Sequence, residues 1–222
     1  MQMKLITVGT GSTGNCYLLQ REDDSFVALD CGCPWNKVMI ASRFRPTSIK
    51  FALVTHSHSD HACCVRDFKR NGIDVYGPDV LVPRKALKIG DITVVPFEVP
   101  HDVQCFGYLI KVDGRTIIYM TDFGYCRYTF KSWGVGTWIV ACNYVSPPDS
   151  EQANYGHVVW GHSSLNTVKD ILEASKSEAL RNIILVHYNE SQDLDSMADE
   201  IQTVVGDQVK VALAKKGEVI TI

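Results

Sequence analysis

The sequence has no excess of positive charge, no long apolar run and no paired Cys-x-x-Cys element, and each absence removes a class of protein. Lysine and arginine number 22 against 25 aspartates and glutamates, a net charge of −3, so no general basic surface announces a nonspecific nucleic-acid binder. A nuclease-like site stays open, because bound metal ions would add local positive charge. No apolar stretch approaches the length of a membrane span, and no membrane partner is expected. The opening "MQMKLITVGTG" passes into a strand-like segment without a basic n-region, an apolar h-region or a cleavage site, so a signal peptide is not expected. Cys63 and Cys64 are adjacent, and Cys31 and Cys33 flank one glycine. That spacing suits neither a disulfide framework nor a zinc ribbon, and it predicts reduced thiols in a cytoplasmic protein. Repeats, low-complexity tracts and a linker are missing too, which predicts a single domain over residues 1–222.

What is present reads as strands first. "MKLITVG", "NCYLLQ", "FVALDCG" and "FALVTHS" are apolar, β-branched runs separated by Gly and Asp turns. "HACCVRDFKRNG" has helical spacing in Val65 and Phe68 and stops at Gly72. The strand theme returns in "DVYG", "ITVVPFEVPH", "FGYLIKVDG", "RTIIYMTD" and "TWIVACNY", with "VDGR" as a hairpin turn. Two amphipathic helices follow, one after "GHSS" with Leu165, Val168, Ile171 and Leu172 on one face. The other carries Leu194, Met197, Ile201, Val204 and Val205 and ends at Gly206. The strand "NIILVH" lies between them, and "VKVALAKKGEVITI" reads as a final hairpin. Strands in two groups, each followed by helices, predict an α/β protein built as a four-layer α/β/β/α sandwich.

The chemistry concentrates in "VTHSHSDHACC", which places three of the chain's seven histidines within six positions. His56 and His58, two apart at a strand end, point to the same side and can chelate one cation. Asp60 and His61 fall on the turn into the following helix, where they can reach a second. Imidazole with carboxylate suits zinc, and also manganese or iron. Two ions need further ligands, and three apolar strands end in suitable residues: His101 in "VPHD", Asp122 in "IIYMTD" and His187 in "IILVH". Polar residues just beyond strand ends are where sites assemble in layered α/β proteins.

In this order and over nearly the whole chain, these motifs resemble the metallo-β-lactamase superfamily. The resemblance implies the family's sandwich and a binuclear site binding two divalent ions, zinc with manganese as the alternative. Asp30 in "LDCG" matches the family's outer-shell aspartate, which orients the metal-binding loop. The first metal site maps onto His56, His58 and His101. The second maps onto Asp60, His61 and His187, and Asp122 maps onto the bridging carboxylate. Asp60 is also carried over as a catalytic position. "GTGSTGNCYLL" is similar to the Gly-Ser-rich opening of the YycJ-like exonuclease branch. "GHSS" resembles that branch's "GHLS" element and the tRNase Z histidine motif, which implies that His162 contacts the scissile phosphate or protonates the leaving oxygen. Where the YycJ-like pattern has an acidic residue and a histidine around a central Asn, this chain reads "ACNYV" with Ala141, Asn143 and Tyr144. A partner for His162 is therefore missing there or supplied elsewhere. The exosite arm of tRNase Z and the β-CASP domain have no room in this length, which favours a small or simple substrate.

The expected activity is phosphodiester hydrolysis in nucleotides or nucleic acid, with a hydroxide shared by two ions attacking phosphorus in line. His162 donates a proton to the departing oxygen. Three alternatives stay open: a cyclic-nucleotide phosphodiesterase that degrades immune signals, related to small phage enzymes; a glyoxalase II-like thioester or lactone hydrolase; and a non-catalytic metal-stabilised binding module. The expected partner is a nucleotide or nucleic-acid phosphodiester substrate, in a bacterial or phage-infected cytosol, with a homodimer left open. His157, Tyr125 and Arg127 lie near these motifs in sequence, and nothing beyond proximity assigns them a role.

Overall fold

A computed structural model describes residues 2–146, 150–151 and 155–222, and the side chains of Tyr155, His157 and Val158 lie outside the described set. The chain divides into two units, Met1–Val82 with Ala214–Ile222 and Pro83–Leu213. Each is built on one mixed sheet with helices.

In the first unit, β1 (Lys4–Gly9), β2 (Cys16–Gln20) and β3 (Phe26–Leu29) form an antiparallel meander. β4 (Ile49–Leu53) and β5 (Val75–Tyr76) then continue the sheet in parallel. Parallel neighbours need crossovers. α1 (Trp35–Ala41) lies between β3 and β4, and α2 (Ser59–Ala62) and α3 (Val65–Arg70) lie between β4 and β5. β2 and β3 are buried at every position, which is why they read as unbroken apolar runs rather than alternating ones. Leu18, Phe26, Ala28, Val38, Ala52 and Phe68 belong to one buried cluster.

The helix expected from His61 to Gly72 is broken at Cys63–Cys64. In a continuous helix the Asp60 carbonyl would accept from the Cys64 N–H. It accepts from Asn15 N at 2.7 Å instead, and Cys64 N donates to Cys31 O at 2.9 Å. Tertiary hydrogen bonds thus override local helical spacing.

In the second unit, β6 (Leu87–Ile89), β7 (Ile92–Val99), β8 (Cys105–Val112) and β9 (Arg115–Met120) are antiparallel neighbours. β10 (Thr137–Ala141), β11 (Asn182–Val186) and β12 (Lys210–Leu213) extend the sheet in parallel from β9. Asp113 and Gly114, at φ 49° and 72°, make the expected tight turn of "VDGR", where two left-handed residues match the strand twist. α4 (Tyr155–Gly161) and α5 (Leu165–Ser175) connect β10 to β11, and α6 (Leu194–Val205) connects β11 to β12. Ser164 caps α5 by accepting from Thr167 N, and Gly206 ends α6 at φ 81°. α5 buries Leu165, Val168, Ile171 and Leu172, the stripe that its spacing predicts.

The expected final hairpin does not form. β12 pairs with β11 in the second sheet, whereas β13 (Val219–Thr221) pairs antiparallel with β1 in the first. The Gly217 amide donates to Thr7 O at 2.8 Å, so the Lys-Lys-Gly turn docks on β1 instead of folding back on β12. Among the described residues no helix is long and apolar enough to cross a membrane.

Candidate metal centre

The first unit gathers four ligand-type side chains on the segment after β4. Thr55 is fully buried there, and its backbone N–H donates to Asp30 Oδ1 at 2.7 Å. Asp30 directly follows β3 and is itself fully buried at φ 58°. Its other oxygen accepts from His61 Nδ1 at 2.7 Å. A carboxylate on one ring nitrogen fixes the tautomer of a neutral histidine and turns the lone pair of the other outward, the usual support for a metal-ligating imidazole. His61 Nε2 lies 3.3 Å from Asp60 Oδ2 and 3.1 Å from Asn15 Nδ2. The rings of His56 and His58 lie 4.7 Å apart, and those of His56 and His61 4.2 Å apart.

Backbone packing holds this segment in place. Cys31 N donates to His61 O at 2.7 Å, and Gly32 N donates to Asn15 O at 2.9 Å. A Cβ on Gly32 would sit 1.7 Å from Asp60 O, so only glycine allows the loop after β3 to approach α2. Asn15 ties three segments together. Its Oδ1 accepts from Gly11 N at 2.9 Å, and its Nδ2 faces Asp60 Oδ2 at 3.3 Å. The motif "GTGSTGN" contains Asn15, yet nothing in the spacing singles it out.

The second unit gathers His101, Asp122, His162 and His187. His101 Nδ1 donates to Gly161 O at 2.8 Å, and its Nε2 lies 3.0 Å from Asp102 Oδ1. With Nδ1 holding the ring proton of the neutral form, Nε2 and the carboxylate present lone pairs to each other, an arrangement that a second proton or a cation satisfies. Asp122 follows β9 at φ 40° and is buried. Its Oδ1 accepts from His162 Nδ1 at 2.8 Å, and its Oδ2 lies 3.4 Å from His187 Nε2. The missing partner of His162 is thus Asp122 itself, not a residue around Asn143.

Asn143 acts elsewhere. Its Oδ1 accepts from Ser163 N at 2.9 Å, which fixes the amide orientation and directs Nδ2 to His187 Nδ1 at 2.8 Å. Neutral His187 therefore carries its proton on Nε2, facing Asp122. Arg127 is engaged by Glu98 at 2.8 Å and lies over the Tyr128 ring. The backbone of His157 lies in α4, and its side chain is outside the described residues. Asp30, Asp122 and His187, at φ 58°, 40° and 49°, are all non-glycine residues in the left-handed region within two residues of a strand end. Such conformations cost about 1–3 kcal/mol each and concentrate at functional sites.

Among the described residues, His56, His58, Asp60 and His61 of the first unit and His101, Asp122 and His187 of the second are His and Asp side chains able to hold metal ions. Buried imidazoles fixed through one nitrogen, with carboxylates beside them, form a donor set that suits zinc or manganese. The family model of the metallo-β-lactamase superfamily matches residues 9–117. Over that stretch, about half of the chain, the sequence is similar to the superfamily, and the two mixed sheets with their helices have its α/β fold. A UPF0173 metal-dependent hydrolase of Pyrococcus furiosus is 25% identical over 206 residues, covering 77% of this chain and 80% of that protein. The metallo-β-lactamase fold protein YhfI of Bacillus subtilis is similar at TM-score 0.78 and 20% identity over 99% of both chains. The short form of human tRNase Z is similar at TM-score 0.63 and 17% identity, also over 99% of both.

Proposed function

We propose that the chain is a phosphodiesterase acting on nucleotides or nucleic-acid ends, with its two units working as one hydrolase domain over residues 1–222. The observation that carries this reading is the 2.8 Å pair between His162 and Asp122. It orients a protonatable ring beside His101 and His187, whose ring centroids lie 5.9 and 5.8 Å from that of His162. In this reading, as the sequence resemblance implies, His56, His58 and His101 would hold one divalent ion and Asp60, His61 and His187 the other, with Asp122 contributing to both. Zinc is the first expectation and manganese the second. When bound, such ions supply Lewis-acid catalysis and water activation near neutral pH.

His162 keeps Nδ1–H on Asp122 and directs Nε2–H to the oxygen leaving phosphorus. An alkoxide is a poor leaving group and gains about 10²–10⁴-fold from protonation, whereas a thiolate departs without an acid. The pair therefore favours phosphodiester over thioester chemistry. The cytosol is the proposed compartment, supported by eight free cysteines that are mostly buried.

The test compares metal-replete protein on a dinucleotide, a cyclic nucleotide, a p-nitrophenyl phosphodiester and a glutathione thioester. His162→Ala is expected to lower kcat about 10²-fold on alkoxide-leaving phosphodiesters. It should lose much less on the p-nitrophenyl ester, with metal content unchanged. Turnover of the thioester with none of any phosphodiester would refute the proposal.

A further inference from the structure

Two aromatic side chains of the second unit stand in solvent beside the residues just described. Trp160 is 73% exposed and Tyr125 56% exposed. Their backbones are in contact. A Cβ on Gly124, the residue before Tyr125, would lie 2.3 Å from Trp160 O and 3.4 Å from Trp160 Cα. The same two segments each hydrogen-bond to the Pro100–His101 stretch. Gly124 N donates to Pro100 O at 3.1 Å, and Gly161 O accepts from His101 Nδ1 at 2.8 Å. Trp160 precedes His162 by two residues, so their Cα atoms are at most about 7 Å apart. That is the scale of one nucleoside.

We propose that Trp160 and Tyr125 form a platform on which the base of a nucleotide substrate stacks, so that this site selects phosphodiesters carrying a nucleobase. The inference rests on the phosphodiesterase reading and names its substrate class. Stacking suits the surroundings. The nearby guanidinium of Arg127 is occupied by Glu98 and Tyr128, and the net charge of −3 supplies no general basic track. Recognition then falls to flat apolar surface, which accepts any base because every base has a π-face. The other strongly exposed aromatics have no such setting: Trp133 lies under Lys111, and Phe44 follows α1 in the first unit.

The test is calorimetric binding of adenosine monophosphate and ribose 5-phosphate to metal-loaded protein. The wild type should bind the nucleotide about tenfold or more tightly than the sugar phosphate. Trp160→Ala and Tyr125→Ala should collapse that ratio, and Trp160→Phe should keep most of it. Equal affinities in the wild type, no measurable nucleotide binding, or a ratio unchanged in both alanine variants would each overturn the platform. Sedimentation gives a further refutation: dissociation of a dimer by Trp160→Ala with base discrimination intact would make the pair a contact between copies. Failure of the phosphodiesterase reading looks different. In that case base discrimination persists and depends on Trp160 while no phosphodiester is cleaved.

Discussion

Asp30→Asn isolates what one buried carboxylate does for a neighbouring imidazole. The substitution keeps shape and keeps Oδ1 as the acceptor for Thr55 N at 2.7 Å and Thr55 Oγ1 at 3.0 Å. It replaces Oδ2, the acceptor 2.7 Å from His61 Nδ1, with an NH₂ donor. The His61 proton must then move from Nδ1 to Nε2, which removes the lone pair that a metal ion would use. Two effects follow with different sizes. Exchanging bonds to a charged acceptor for bonds to a neutral one costs about 1–2 kcal/mol of folding stability. Losing a carboxylate behind a ligating histidine weakens metal binding about 10–100-fold. Urea unfolding of the metal-free protein measures the first, and competition with a chromophoric chelator measures the second. A folded Asp30→Asn protein that binds zinc within twofold of the wild type would refute the argument, because His61 would then not need Asp30 to set its tautomer.

Gly161→Ala would place a Cβ 3.0 Å from His101 Nδ1 and 3.2 Å from Cε1, displacing that ring by a few tenths of an ångström. Activity should fall about tenfold or more with little change in Tm, since small misplacements near a reacting centre are costly; full activity would show that the ring has slack. Burial raises the thiols of Cys33 and Cys126 to about 11 and those of Cys64 and Cys142 to about 12. At pH 8 a thiol reagent should modify Cys63, the exposed one, well before the others, and simultaneous labelling in folded protein would contradict the structure. Above about pH 9 the unfolded chain ionises these thiols while the native one cannot, so the unfolded state binds fewer protons and stability falls as pH rises toward 11–12. Cys142→Ala should flatten that decline in the urea midpoint.

Much of the candidate site is legible in sequence because its first half is contiguous. His56, His58, Asp60 and His61 are fixed by their spacing after an apolar strand. The strand-end residues His101, Asp122 and His187 are visible as positions but not as conformations. The left-handed turns at Asp30, Asp122 and His187 are set by surrounding packing, because Asp and His tolerate that region without requiring it. Asn15 and Asn143 are illegible for a related reason. Their work lies in contacts with residues 44 to 46 positions away, and a polar side chain carries no mark of its distant partner. The same cause misleads at the C-terminal strands. "VKVALAKKGEVITI" has every local feature of a hairpin, while the partners of its two strands are β11 and β1.

That last pairing has a consequence for synthesis. β1 meets β13 in register Lys4↔Thr221, so one edge of the first sheet is closed by residues translated 217 positions later. Until they emerge, β1 presents an unpaired backbone edge next to Leu5, Ile6 and Val8, which are buried in the finished protein. An apolar edge of that kind is a template for pairing with other chains. The interval of exposure is set by ribosome speed rather than by folding rate, about 10–40 s at 5–20 residues per second. A nascent chain of this protein is therefore most vulnerable to aggregation, and most dependent on holding chaperones, while its first unit awaits its last strand.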